Sequence, residues 1–469
     1  MELTANDITK IVENVLHNLQ DNNYQKSNGI YPAGIFETLD EAVEKAYQAQ
    51  KKLRNLEQRL LIISAIRKTG IQYAVELAKL AVKETGMGRV QDKINKNLLC
   101  AQRTPGIEVL EPKAISGDRG LTLIENAPWG VIASVTPSTN PAATIINNSI
   151  SMISAGNSIV FAPHPAAKAV SQRTISLLNE AIIEAGGPAN LITTIADPNL
   201  EVARQLFKYP GIHLLVVTGG EAVIHAARKQ TDKRLIAAGA GNPPVVVDET
   251  ADIAQAAKSI VFGASFDNNI ICVDEKEIVV VDSVADKLKK EMKLNGAHEI
   301  TLSQANELAG IILDDYPGEN PVVNRKFVGR NACILARQIG IELPEKTKLI
   351  FVETDKSHPF AQTELMMPVI SVVRAGDAQE AIDFGIELEH GLKHTAAMHS
   401  KNIDNLHRMA TEVNTSIFVK NGPCLAGLGY GGEGWTTMTI STPTGEGATN
   451  AATFVRLRRC VLVDHFRIV

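Results

Sequence analysis

The sequence predicts an α/β protein built on doubly wound parallel sheets, and three observations carry that reading. From residue 130 onward, short apolar runs alternate with helical patterns, the rhythm of parallel strands joined by crossover helices. The same rhythm returns after Pro243, which gives two such units with no repeat of fixed period. A chain of 469 residues also exceeds what one ordinary core organises, so two or three domains are expected.

The elements follow in order. Ile8, Ile11, Val12, Val15, Leu16 and Leu19 recur at helical spacing and put one apolar stripe on residues 1 to 20. Thr4 and Asp7 resemble a capping pair at its start. A helix of about four turns is marginal alone, so the stripe needs a partner. Residues 21 to 35 read as a flexible polar linker. Thr38 and Asp40 open a helical region that runs on to Ile63, and Tyr73 to Val82 forms another helix stopping near Gly86. The turn Gly117-Asp118-Arg119-Gly120, followed by Leu121 to Glu125, predicts a hairpin over about 114–128. Val131 to Val135, Ser158 to Phe161, Leu191 to Ile195 and His213 to Val217 read as strands. Thr144 to Ala155, Val170 to Ala185 and Val202 to Phe207 are the helices between them. Beyond Pro243 come the strand Val245 to Val247, the helix Ile253 to Phe262 and the strand Ile278 to Val281.

Composition narrows the function. Hydrophobic residues at 45% and charged residues at 21% are ordinary for a globular protein. A net charge of −5 gives no nucleic-acid footprint, and 4% aromatics leave no base-stacking platform. Cys100, Cys272, Cys333, Cys424 and Cys460 form no CxxC pair and are odd in number, which argues against a disulfide framework or a metal site and for a reducing cytoplasmic compartment. No apolar run reaches the length of a membrane span, and the first residues lack the pattern of a secretory signal. Neither nucleic acid nor membrane is expected as a partner.

The residues of chemical interest fall on loops. Cys272 follows the Asn-rich stretch Phe266 to Ile271 and precedes a strand-like run, a position suited to a nucleophile, although a free cysteine is commonly an inert small hydrophobe. No GxGxxG follows a strand, so the usual dinucleotide fingerprint is absent. Thr218-Gly219-Gly220 turns a strand into a helix, either as a phosphate cradle or as an ordinary turn. Thr136-Pro137-Ser138-Thr139-Asn140-Pro141 holds hydroxyl and amide groups between two prolines, suited to an oxyanion or to capping a helix. Ala162-Pro163-His164-Pro165 carries a lone histidine, more often a surface or capping residue than a catalyst. All three loops are expected on the carboxyl rim of one sheet, where open α/β sheets take ligands.

With Glu84-Thr85-Gly86-Met87-Gly88, Ala238 to Pro244 and Thr415 to Pro423 added, the chain from about Gly34 to Val469 resembles the coenzyme A-acylating branch of the aldehyde dehydrogenases. Within that branch it is most similar to the acetaldehyde dehydrogenases of bacterial ethanolamine-utilisation microcompartments, with the propionaldehyde dehydrogenases of propanediol microcompartments beside them. The resemblance implies an aldehyde dehydrogenase fold: a cofactor-binding domain over 36–237, a catalytic domain over 238–424, and a return over 425–469. The hairpin and a C-terminal strand would form a small β oligomerisation arm. It implies Cys272 as nucleophile, with oxyanion donation from its own N–H and from Thr139 or Asn140. It implies NAD contacts from Thr218, Gly219, Gly220, Glu364, Pro137, Pro163 and His164, and coenzyme A as co-substrate. Hydrolytic members place a glutamate base where this chain has Ala238. Water needs such a base to attack a thioester, whereas a thiol of pKa ~8.5 is already partly thiolate. A second departure is Ala162, where many hydrolytic members hold the adenosine ribose with a lysine. The implied reaction oxidises a short-chain aldehyde, acetaldehyde ahead of propionaldehyde, to acyl-CoA. A hydrolytic aldehyde dehydrogenase and a non-catalytic lumenal binding protein are the competing readings. The resemblance also implies a homodimer or tetramer in a microcompartment lumen, with residues 1–19 as an encapsulation helix that docks on shell or lumenal proteins.

Overall fold

Strands with Val, Ile and Ala on both faces must be covered on both sides, and the helices between them supply that cover. The computed structural model describes residues 31–53, 55–318 and 321–469, so the amphipathic helix expected over 1–20 and most of the expected linker lie outside the described residues. The chain enters at β1 (Ile35–Phe36), forms the hairpin β2 (Lys113–Gly117) and β3 (Gly120–Pro128), and continues through β4 (Val131–Thr136), β5 (Ser158–Pro163), β6 (Ile192–Ile195), β7 (Leu214–Thr218) and β8 (Arg234–Ala238). These strands, the hairpin aside, make a parallel six-stranded sheet in the order β1-β6-β5-β4-β7-β8. Ile35, expected at the end of the linker, already pairs with Thr194 on this sheet's edge.

The second sheet draws on β9 (Pro244–Val247), β10 (Glu277–Val281) and β11 (Ala297–Glu299). After the small hairpin β12 (Leu313–Asp314) and β13 (Val322–Val323) come β14 (Leu349–Glu353), β15 (Val369–Ala375), β16 (Thr395–His399) and β17 (Ile417–Lys420). Its order is β11-β14-β15-β10-β9-β16-β17, again parallel, with β10 in the centre. After β18 (Ile440–Ser441) and β19 (Gly447–Ala448), β20 (Val455–Val463) runs antiparallel along all of β3, from Val455 opposite Pro128 to Val463 opposite Gly120. Arm strand β20 starts three residues before Arg458, and left-handed Asp464 and His465 turn the chain away after Val463.

Local chemistry sets the helix ends. Thr38 caps Leu39–Lys52 by accepting the Glu41 N–H at 3.2 Å, and Asn55 caps Leu56–Gln72 in the same way at 2.8 Å. The single helical region expected there is therefore two helices. Helix Ala74–Thr85 stops at Gly86, whose φ of +67° suits a residue without a β-carbon. The helix expected from Thr144 begins at Pro141, because Asn140 already accepts the Thr144 N–H through its carbonyl at 3.0 Å and Pro141 fits the first helical turn.

Candidate active site

The Asn-rich stretch before Cys272 is a scaffold. Helix Ile253–Ser265 ends, and Asp267, Asn268 and Asn269 follow with φ of 45°, 57° and 64°. Asn and Asp enter this left-handed region more readily than other side chains, yet three in succession persist only when held. Asn268 Nδ2 donates to the Gly329 carbonyl at 2.7 Å and to Asn331 Oδ1 at 2.8 Å. Asn269 Nδ2 donates to the carbonyls of Ala264 and Glu275, both at 2.9 Å. The buried Lys276 ammonium donates to Asn269 O at 2.9 Å, Asn269 Oδ1 at 2.6 Å and Ile271 O at 3.1 Å. Together these bonds fix the loop that carries Cys272 just ahead of β10.

Cys272 is half-buried. Burial, and then the negative charge of Glu364, push its thiol up to about 12, while Lys276 draws it down. The Glu364 carboxyl, raised by burial, accepts the backbone N–H of Gly241. Ala238 is a buried methyl at the end of β8, and its carbonyl accepts the Gly219 N–H at 3.1 Å. The position of the hydrolytic glutamate thus holds no ionisable group. Cys424 is fully buried, its N–H bound to Glu275 Oε1 at 2.9 Å. Burial, and then the charge of Glu275, raise its thiol far above the ordinary range, and what separates it from the half-buried Cys272 is that it is sealed in the core, away from an incoming aldehyde.

Strands β5, β4 and β7 are adjacent and parallel, so their three following loops share one rim. Pro137 opens the loop after β4, and Pro163 ends β5 opposite Thr136. His164 Nδ1 accepts the Ala166 N–H at 3.1 Å and caps its own short turn; burial, and then the charge of Arg325, lower its pKa. At Gly219 and Gly220 an added β-carbon would meet nothing within 4 Å, so backbone at the N-terminus of helix Glu221–Gln230 is open to close approach. Such a turn fits a pyrophosphate, and Glu364 beside Cys272 fits a ribose hydroxyl next to the reacting carbon. Asn140 Nδ2 donates to Thr139 Oγ1 at 3.2 Å, and Lys96 Nζ donates to Asn140 Oδ1.

Several residues escaped the sequence reading. Lys93 and Lys96 lie on the buried face of helix Val90–Arg103 against Asp267, and Lys276 and Glu275 are buried in the loop before β10. A weak signal was present: Lys93, Lys96, Asn97 and Cys100 recur at spacings of three and four, so the two lysines share a helical face with a cysteine, a residue type that is commonly buried. His394 is buried against Gly241, with Nδ1 2.9 Å from Thr395 Oγ1 and Nε2 unpartnered; burial drives its pKa down to about 3.

A family profile described as "Aldehyde dehydrogenase family" matches residues 24–306. The chain belongs to the aldehyde dehydrogenase family, as the sequence motifs implied. It is 61% identical over 469 residues, 100% of both chains, to acetaldehyde dehydrogenase (acetylating) EutE of Salmonella typhimurium. It is also similar to the crystal structure of Rhodopseudomonas palustris propionaldehyde dehydrogenase with bound propionyl-CoA, with TM-score 0.90 and 45% identity over 95% of this chain and 98% of that one. A propionaldehyde dehydrogenase from the Clostridium phytofermentans fucose utilisation bacterial microcompartment matches with TM-score 0.90 and 45% identity, covering 93% of this chain and 100% of that one.

Proposed function

We propose that the protein is an NAD-dependent, coenzyme A-acylating aldehyde dehydrogenase that converts acetaldehyde to acetyl-CoA. The single observation that carries the acylating reading is Ala238, a buried methyl at the place where hydrolysis needs a carboxylate. Identity of 61% over full length to the acetylating enzyme, against 45% to the propionaldehyde enzymes, favours acetaldehyde over propionaldehyde.

In this reading the Cys272 thiolate attacks the aldehyde carbon, and the oxyanion takes hydrogen bonds from the Cys272 N–H and the Thr139/Asn140 loop. NAD, when bound along the Thr218-Gly219-Gly220 turn with Pro137, Pro163 and His164 on the same rim, supplies the hydride acceptor. Glu364 holds the nicotinamide ribose. Cys272 then carries the acyl group as a thioester, and Ala238 leaves no base to activate water. Coenzyme A, having lost its thiol proton, attacks the thioester carbon as thiolate, and Cys272 departs as thiolate. One thioester replaces another, so the acyl-transfer step runs in both directions.

The exposed arm, with Leu457, Val461 and Val463 turned to solvent, fits burial against a second copy, as a dimer or tetramer. Residues 1–19 serve as the encapsulation helix that docks the enzyme on shell or lumenal proteins of a microcompartment. No described helix is long and apolar enough to cross a membrane. The deciding measurement is NADH absorbance with acetaldehyde, run with and without coenzyme A. Turnover that depends on coenzyme A and yields acetyl-CoA supports the reading, and equal turnover without it, yielding acetate, sinks it.

A further inference from the structure

We propose that Lys96 is a positioning residue for the aldehyde step, holding the Asn140 side chain so that its NH₂ group faces the oxyanion. The inference rests on the nucleophilic role given to Cys272 above. A lysine ammonium has donors and no acceptor, so the atom facing Lys96 Nζ must be Asn140 Oδ1. That choice turns Nδ2 the other way. One of its hydrogens is used on Thr139 Oγ1 at 3.2 Å, and the second remains for a substrate oxygen. The ammonium also polarises the amide it grips, which strengthens the N–H on the far side. The proposal assigns donation to the free Asn140 N–H; the Thr139 hydroxyl accepts from that amide and keeps its own O–H as a second donor in the hydrogen-bond chain.

The rest of the cluster explains why the grip is rigid. Asp267 Oδ2 accepts from Lys96 and, at 3.0 Å, from Lys93, whose own Nζ donates to the Thr139 carbonyl at 2.9 Å. The exposures of Lys93, Lys96 and Asp267 are 3%, 2% and 0%, so no water competes for these bonds. Asp267 Oδ1 accepts the Arg89 N–H at 2.7 Å, and the Asp267 N–H donates to Asp92 Oδ2 at 3.0 Å. Asp267 stands five residues before Cys272 in the same scaffolded loop. Two lysines of helix Val90–Arg103 and one aspartate thus lock the loop after β4 to the loop of the nucleophile, across about 130 residues of chain.

The test is a double-variant cycle on the full chain, read as NADH formation from acetaldehyde and coenzyme A, with melting temperature and NAD binding as fold controls. Asn140→Ala is expected to lower kcat about 100-fold, the scale of one lost oxyanion donor. Lys96→Met is expected to lower kcat about tenfold with NAD affinity unchanged; Lys93 stays beside Asp267, so no buried carboxylate is orphaned. The double variant should be no slower than Asn140→Ala alone, because Lys96 acts through that amide. Multiplying effects, or wild-type kcat in Lys96→Met, would overturn the proposal. Asn140→Asp gives a second measure that leaves Lys96 in place. It keeps the shape and the partner but has no N–H, so it should be as slow as Asn140→Ala, and near-wild-type speed would overturn the proposal. Wild-type turnover without coenzyme A would be a separate result: it overturns the acylating reading and leaves this cycle valid, since the oxyanion forms in the aldehyde step either way.

Discussion

Gly241 packs so closely on Cys272 that a β-carbon at residue 241 would stand 2.9 Å from the Cys272 carbonyl oxygen and 2.8 Å from the His394 ring. One neighbour is backbone of the nucleophile loop and the other a buried ring, so neither gives way freely. Gly241→Ala is expected to lower kcat/KM about tenfold or more and to destabilise by about 1–3 kcal/mol, the range for overpacking. Gly310→Ala, where an added β-carbon meets nothing within 4 Å, is the control and should leave turnover unchanged. Steady-state kinetics with thermal melts decide; an unaffected Gly241→Ala enzyme would mean that the loop is not held by this contact.

Cys272→Ala should abolish acyl-CoA formation while the melting temperature and NAD binding survive. Cys424→Ala should retain most activity, since that thiol is sealed in the core beside Glu275. The two variants, assayed side by side, separate the half-buried cysteine from the buried one. Substantial turnover by Cys272→Ala would move the nucleophile elsewhere.

The raised Cys272 thiol makes a pH prediction. Below its pKa, the thiolate fraction grows about tenfold per pH unit, so alkylation by iodoacetamide should climb from pH 7 to pH 10 without a plateau. Removing the negative neighbour with Glu364→Gln lowers the thiol pKa and should speed alkylation at fixed pH, whereas Lys276→Met should slow it. Mass spectrometry of the Cys272 peptide separates it from the exposed Cys460. A plateau near pH 8.5 in the wild-type enzyme would contradict the reading.

Ala238→Glu should introduce slow thioester hydrolysis in the absence of coenzyme A, seen as acetate from acetaldehyde. The new carboxyl would enter a buried position, where desolvation raises its pKa, so the hydrolytic rate should rise toward alkaline pH. A folded variant that makes no acid would show that residue 238 alone does not set the acceptor.

Deleting residues 1–19 should leave activity in solution nearly intact while the enzyme stops co-purifying with shells. Charging the stripe with Ile11→Glu and Val15→Glu should do the same without removing the segment. Normal encapsulation of either variant would show that residues 1–19 do not carry the targeting signal, and unfolding on deletion would make them part of the folded body.

Much of the fold was legible because its signals are local. Alternating apolar runs marked β4 to β7 and β9 to β10, and the capping of Thr38 and the stop at Gly86 depend on residues within a turn. The arm hairpin was readable from its turn. Strand β8 and the strands from β11 to β17 were not singled out; β11, β12 and β13 are only two or three residues long, too short for a periodicity to register.

The sequence by itself determined the family, the alternation of strands and helices, the loop that carries Cys272 and the loss of a carboxylate at 238. These are properties of residue types and short spacings. Only the tertiary structure decided that β4 lies between β5 and β7, that Cys424 is sealed off, that Gly241 presses on Cys272, and that Lys93 and Lys96 meet Asp267 and hold Thr139 and Asn140. Lys96 and Asp267 are 171 residues apart. Their pairing exists because helix Val90–Arg103 and the loop of the nucleophile, distant in sequence, bury charge against each other, and a charged residue in a run such as Asp274-Glu275-Lys276-Glu277 looks the same in sequence whether water or a carboxylate faces it.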